Sequence, residues 1–169
     1  GLVRGAWQIA PASGPRQLCV TAGGRVYLLN ELAHRIDLLH DGVVAQSVST
    51  LPETRAASIG GSPPTAGASS AGCLALSADG GRLIASNRGR DSLVCFPVDP
   101  DTGALGTPDF TPCDPHPRHF LVVDDRVIVA SRDAGTLTAY ELSMSGRFGP
   151  AIGRLECPAP VCVLAGPGR

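Results

Sequence analysis

The chain contains no lysine; all fourteen of its basic residues are arginine. That excludes a Schiff-base lysine and the lysine of a Walker-type phosphate loop within these residues. The excess of arginine itself reads as a coding preference. Aromatic residues are scarce at 4% and charged residues at 17%. No apolar run approaches the roughly 18–20 residues that span a bilayer as a helix, so no membrane association is expected. Fifteen acidic residues balance the arginines to a formal net charge of −1, which signals no broad basic face for nucleic acid. The six cysteines, at positions 19, 73, 95, 113, 157 and 162, include no C-x-x-C pair, and a structural metal site needs closer pairing of Cys and His ligands. There is no G-x-S-x-G elbow for a hydrolase serine. The sequence starts without Met and without a charged-then-apolar leader, so it reads as a processed or partial product with reduced thiols and a cytoplasmic location.

What is abundant is turn chemistry and apolar residues, with 21 Gly, 15 Pro and 43% hydrophobic residues. Three segments, starting near Gly14, Ala71 and His116, share one layout. Each has an apolar strand, a turn built from Gly or Asp, a second apolar strand, a polar corner and a third strand. The corner residues Asn30, Asn87 and Ser131 are equivalent, each standing six positions before Ile36, Leu93 or Leu137, and they lie 57 and 44 residues apart. A weaker fourth strand follows at 43–50, 105–111 and 151–156. No segment keeps a helical apolar face over ten residues, whereas alternation and β-branched content favour strands throughout.

A four-stranded unit recurring at roughly 40–45 residues is the mark of a β-propeller blade. The sequence therefore predicts an all-β partial propeller over 1–169, with blades at about 14–51, 71–112 and 116–157 and a closing strand at 160–165. The stretch 56–72, rich in Gly, Pro, Ser and Ala, reads as a flexible surface loop that lengthens the first interval. Three blades fall short of the four to eight of a closed ring. The chain therefore reads as part of a larger propeller, with the missing blades expected from the rest of a parent chain, or else as one that completes itself by association.

Propeller topology converts these repeats into a site. Within an antiparallel blade the start of the first strand and the end of the second lie at the same end of the sheet. Residues there face one mouth of the ring: Arg16, Asn30 and Glu31 from the first repeat, Asn87 and Arg88 from the second, Arg118, Arg132 and Asp133 from the third. Arginine forks match phosphate or carboxylate oxygens and stay charged at any working pH, so this mouth suits an anionic small molecule. Glu31 among arginines is a candidate acid–base or water-orienting group, with its pKa lowered by the surrounding positive charge. His116 and His119 flank Arg118 within reach of the same mouth, although each reads equally well as a turn residue or a packed imidazole. His34 and His40 read as surface residues. Gly23-Gly24 and Gly80-Gly81 precede strands and read as tight turns, not phosphate cradles.

At these phrases the chain resembles the lactonase family of seven-bladed propellers, which includes propeller-type 6-phosphogluconolactonases and carboxymuconate lactonizing enzymes. The matching phrases are Gly14-Pro15-Arg16, Asn30-Glu31-Leu32, Leu76-Ser77-Ala78-Asp79-Gly80, Ala85-Ser86-Asn87-Arg88-Gly89, Asp91-Ser92, Pro117-Arg118-His119-Phe120 and Pro160-Val161-Cys162-Val163-Leu164. Their order fits the C-terminal half of the family's chain. The third repeat departs mildly, with Ser131 where relatives often carry Asn.

The resemblance implies a seven-bladed ring whose active-site groups are a His, two Arg and a Glu. Arg16, Arg88 and Glu31 are the counterparts of the last three, while the family His belongs to an earlier blade. It implies hydrolysis of a sugar lactone, 6-phospho-D-glucono-1,5-lactone foremost, in the pentose phosphate pathway, without metal or cofactor. In that scheme Arg16, Glu31 and Arg88 are catalytic, and Asn30, Asn87, Arg118, His119 and Arg132 bind the anionic substrate. Carboxymuconate lactonization and non-catalytic partner binding by a propeller mouth remain the alternatives. A calcium-dependent gluconolactonase is disfavoured, because no cluster of acidic ligands is evident.

Overall fold

The structure, a computed structural model, describes residues 6–52 and 69–166. Among these residues there are twelve β-strands and no helix. The first sheet comprises β1 (Pro15–Val20), β2 (Val26–Asn30), β3 (Arg35–His40) and β4 (Val43–Ser49). The second comprises β5 (Ser70–Leu76), β6 (Arg82–Arg88), β7 (Ser92–Pro97) and β8 (Asp109–Pro112). The third comprises β9 (Pro117–Val123), β10 (Arg126–Ser131), β11 (Thr136–Leu142) and β12 (Phe148–Glu156). Each sheet is a four-stranded antiparallel meander in chain order, the architecture of a propeller blade.

Side-chain alternation explains how the blades stack. Successive residues of a strand point to opposite faces, so a blade enclosed on both sides needs apolar residues at every position. The middle blade meets that requirement only at its centre, in Leu83-Ile84-Ala85 of β6 and Leu93–Phe96 of β7, and the polar Arg82, Ser86, Asn87 and Arg88 that are buried beside it all make hydrogen bonds. Leu83 and Ala85 of β6, with Val94 and Phe96 of β7, pack against Tyr27, Leu29, Ile36 and Leu38 of the first blade. The intervening Ile84, Leu93 and Cys95 turn the other way, onto Phe120, Val127, Val129 and Tyr140 of the third. The first strands of the blades lie side by side, β1 against β5 and β5 against β9.

One glycine permits the close approach of inner strands, and a second shapes the turn at a blade corner. A Cβ on Gly72 would stand 2.7 Å from both the Pro117 carbonyl oxygen and the Ser86 Oγ. Gly14, at φ +66°, takes a left-handed turn before β1, where a Cβ would sit 2.6 Å from Leu32 Cγ. The blade corners repeat one another in the same way. His34, Asp91 and Gly135, each four residues after Asn30, Asn87 or Ser131, all have positive φ.

The structure departs from the sequence reading in three places. The segment 160–165, expected as a closing strand, forms no strand: it lies near β9, but the Val163 amide donates to the His119 side chain and not to a backbone carbonyl. Of the stretch expected as a loop over 56–72, residues 56–68 lie outside the described residues, whereas Ser70–Gly72 open β5 and Ala71 is fully buried. The fourth strand of the second blade begins at Asp109, and Leu105 instead makes an isolated bridge to Val98.

Candidate active site at the propeller mouth

Pairing registers fix which strand ends share a rim. Pro15 faces Asn30, Ala71 faces Asn87, and Pro117 faces Ser131, so the starts of β1, β5 and β9 and the ends of β2, β6 and β10 lie at one end of their sheets. At that end Arg16, Glu31 and Arg88 meet directly. Arg16 Nη1 donates to Glu31 Oε2 at 2.8 Å, and Arg88 Nη2 donates to Glu31 Oε1, so one carboxylate bridges guanidiniums from two blades.

Backbone carbonyls hold both arginines in place. Arg16 Nε donates to the Gly72 carbonyl at 2.6 Å, and Arg88 Nη2 donates to that of Ala71 at 3.0 Å. The Ala71 amide in turn donates to the Glu31 carbonyl at 3.4 Å. Arg88 is the most enclosed of the three, with 8% of its surface exposed, and its buried Nε has no partner among the described residues. Partial burial pushes the Glu31 carboxyl up, but the hydrogen bonds and charge of Arg16 and Arg88 outweigh it, leaving its pKa below the usual glutamate value. Glu31 is therefore a carboxylate at neutral pH.

Arg16, Gln17, Gly72, Arg118, His119 and Val161 line an open cleft of about 340 Å³ that draws on the first strand of every blade. Gln17 clamps the first two blades, its Nε2 donating to the Leu74 carbonyl at 2.8 Å and its Oε1 accepting from the Leu74 amide at 3.1 Å. Burial, then the charge of Arg16, lowers the pKa of His119, whose Nδ1 accepts from the Val163 amide at 3.4 Å. The imidazole is therefore neutral, and its proton sits on Nε2.

The remaining expected residues are placed differently. Asn30 and Asn87 are fully buried and turn into the sheet corners instead of the mouth. Asn30 Nδ2 donates to Asp37 Oδ2 at 2.9 Å, and Asn87 Nδ2 donates to the Thr50 carbonyl at 2.7 Å. Both amides thus serve as corner pins in these three blades, with their Nδ2 donors spent on partners inside the protein. Arg132 lies on the third blade's corner, its Nε donating to Asp133 Oδ1 at 2.7 Å, and it touches none of Arg16, Glu31 or Arg88. His116 stands beside that pair, with Nδ1 3.3 Å from Asp133 Oδ2. Burial, then the charges of Arg132, Arg88 and Arg118, opposed by Asp133, lowers the His116 pKa. Gln17 and Gly72 went unnoticed in the sequence. The signal for the first was a polar residue inside an apolar strand, and for the second a Gly at the start of one.

Residues 4–165 match the family model described as lactonase, 7-bladed beta-propeller. The chain belongs to this lactonase family. The periplasmic gluconolactonase PpgL of Pseudomonas aeruginosa is 30% identical, with a TM-score of 0.75 over 89% of this chain and 42% of that one. A candidate 6-phosphogluconolactonase of Bacteroides fragilis is 28% identical, with a TM-score of 0.75 over 92% of this chain and 43% of that one. An uncharacterized protein of Lactococcus lactis subsp. cremoris is 33% identical over 137 residues, which make up 75% of this chain. This lactonase-family chain spans 37% of the length of that curated relative.

Proposed function

We propose that the complete propeller containing these three blades hydrolyses a sugar lactone at this mouth, with 6-phospho-D-glucono-1,5-lactone as the foremost substrate and the pentose phosphate pathway as its setting. The observation that carries the reading is the Arg16–Glu31–Arg88 bridge, in which two arginines from different blades are held around one carboxylate in an open mouth. Its counterparts are the Arg, Glu and Arg of the family resemblance. The remaining blades come from the rest of the parent chain. The reading places the parent in the cytoplasm, a reducing compartment in which its cysteines stay free thiols.

Water adds to the lactone carbonyl carbon, and the carbonyl oxygen takes up negative charge. Guanidinium donors prearranged by backbone carbonyls stabilise that oxyanion without reorganising. Collapse of the tetrahedral adduct breaks the ring C–O bond. The ring oxygen leaves as a hydroxyl carrying a proton from the attacking water, and the product is an open-chain carboxylic acid that ionises. Glu31, held below the usual glutamate range, is a weak base. Its part is to aim the two guanidiniums and to orient the incoming water.

The test is the full-length parent carrying Arg88→Ala, assayed for opening of 6-phospho-D-glucono-1,5-lactone. Removal of one oxyanion donor lowers kcat by about 10²–10³-fold. The fold, checked by circular dichroism, is retained. Undiminished turnover sinks the assignment, and so does an unsubstituted parent that cyclises a carboxymuconate but opens no lactone.

A further inference from the structure

Arg16 and Arg88 are each neutralised in part by Glu31 and fixed by a backbone carbonyl, which leaves their remaining N–H groups for the reacting carbonyl. Arg118 stands apart from them. It enters no ion pair among the described residues, and it lines the central cleft beside His119. No carboxylate lines that cleft. His119 is neutral, with Nδ1 occupied by the Val163 amide, so it offers the cleft an Nε2–H donor. The cleft thus combines an uncompensated guanidinium with a neutral donor, next to the positive edge of Arg16.

We infer that this Arg118–His119 cleft is a separate anion subsite, which holds an oxyanionic substituent of the substrate remote from the lactone carbonyl. The inference rests on the lactonase reading for its substrate, and it divides the labour of the mouth. Arg16, Glu31 and Arg88 face the reacting carbonyl, while Arg118 and His119 choose which lactones are held there. A guanidinium fork and one further donor suit a phosphomonoester or a carboxylate equally, because both present paired oxygens at similar spacing. A neutral sugar lactone leaves Arg118 unpaired and forfeits the charge-assisted bonds.

The experiment uses the full-length parent, with Arg118→Ala, Arg118→Lys and Arg88→Ala. kcat/KM is measured on 6-phospho-D-glucono-1,5-lactone, on a lactone bearing a carboxylate at the same carbon, and on unsubstituted D-glucono-1,5-lactone. In the parent the anionic lactones are preferred. Arg118→Ala collapses that preference by about 10–100-fold, and Arg118→Lys restores part of it. Arg88→Ala lowers all three values and leaves their ratio in place. The two anionic arms report whether phosphate or carboxylate is the natural substituent. In parallel, inorganic phosphate is titrated by calorimetry, where the parent binds it and Arg118→Ala does not.

A parent that opens none of the lactones defeats the lactonase reading. Phosphate binding lost in Arg118→Ala would still uphold the subsite in that case. Equal loss on anionic and neutral lactones, or phosphate binding unaffected by Arg118→Ala, overturns the subsite whatever becomes of the lactonase reading.

Discussion

Glu31 shows what one residue contributes at this mouth, and its contribution depends on pH. Its pKa in the folded chain lies below the ordinary 4.5, so its ionised form adds stability at pH values above that figure. That stability is lost as pH falls through the lowered value, because protonation ends the attraction to Arg16 and Arg88. Glu31→Gln removes the charge at every pH and leaves the buried Arg88 without its counter-ion. The variant is expected to lose roughly 1–3 kcal/mol at pH 7, and its melting temperature should converge with that of the parent as pH falls through the lowered Glu31 pKa. Parallel melting curves with a constant gap across that range would contradict the bridge. The meeting of these three residues was legible in the sequence, because strand order alone decides which ends of a blade share a rim. The inward turn of Asn30 and Asn87 was not. Whether an amide at a corner faces solvent or the sheet depends on Asp37 and the Thr50 carbonyl, partners that only the folded neighbours supply.

β5 passes close to β9 at Gly72, and that contact links packing to chemistry. The Gly72 carbonyl fixes Arg16, while the place of a Cβ is taken by the Pro117 carbonyl oxygen and Ser86 Oγ. Gly72→Ala therefore forces the second and third blades apart and shifts the carbonyl on which Arg16 rests. A loss of about 1–3 kcal/mol in denaturant unfolding is expected, together with weaker lactone turnover. Stability equal to the parent's would show that the inner strands separate at no cost. At this scale the sequence was informative about the first three strands of each blade, whose recurring layout of apolar strand, turn, strand and polar corner matches β1–β3, β5–β7 and β9–β11. It was less so for the fourth strands and for 160–165. An outer or isolated segment becomes a strand only if a neighbouring edge pairs with it, and Asp109, not Leu105, is where the β7 edge first offers that pairing.

On the scale of the whole molecule, three stacked blades leave two outer faces, and apolar residues occupy both. Gln17 and Cys19 of β1 reach toward the second blade through Leu74, so Leu18 and Val20 point away from it, 56% and 60% exposed. On the third blade Phe120 packs inward, which turns Val123 outward, 39% exposed, and Leu155 of β12 is 63% exposed. Burial of such side chains contributes about 25 cal/mol per Å² of apolar surface, so both faces favour contact with further blades over contact with water. Residues 1–169 prepared alone are expected to bind a hydrophobic dye and to sediment as a concentration-dependent oligomer, as open propeller ends do when nothing covers them. The full-length parent should do neither, and Leu18→Glu with Val20→Glu should abolish oligomer formation by the isolated blades. A monomeric, dye-silent preparation of 1–169 would mean that these faces need no neighbour, and the proposal of a ring completed by the rest of the parent would fall with it.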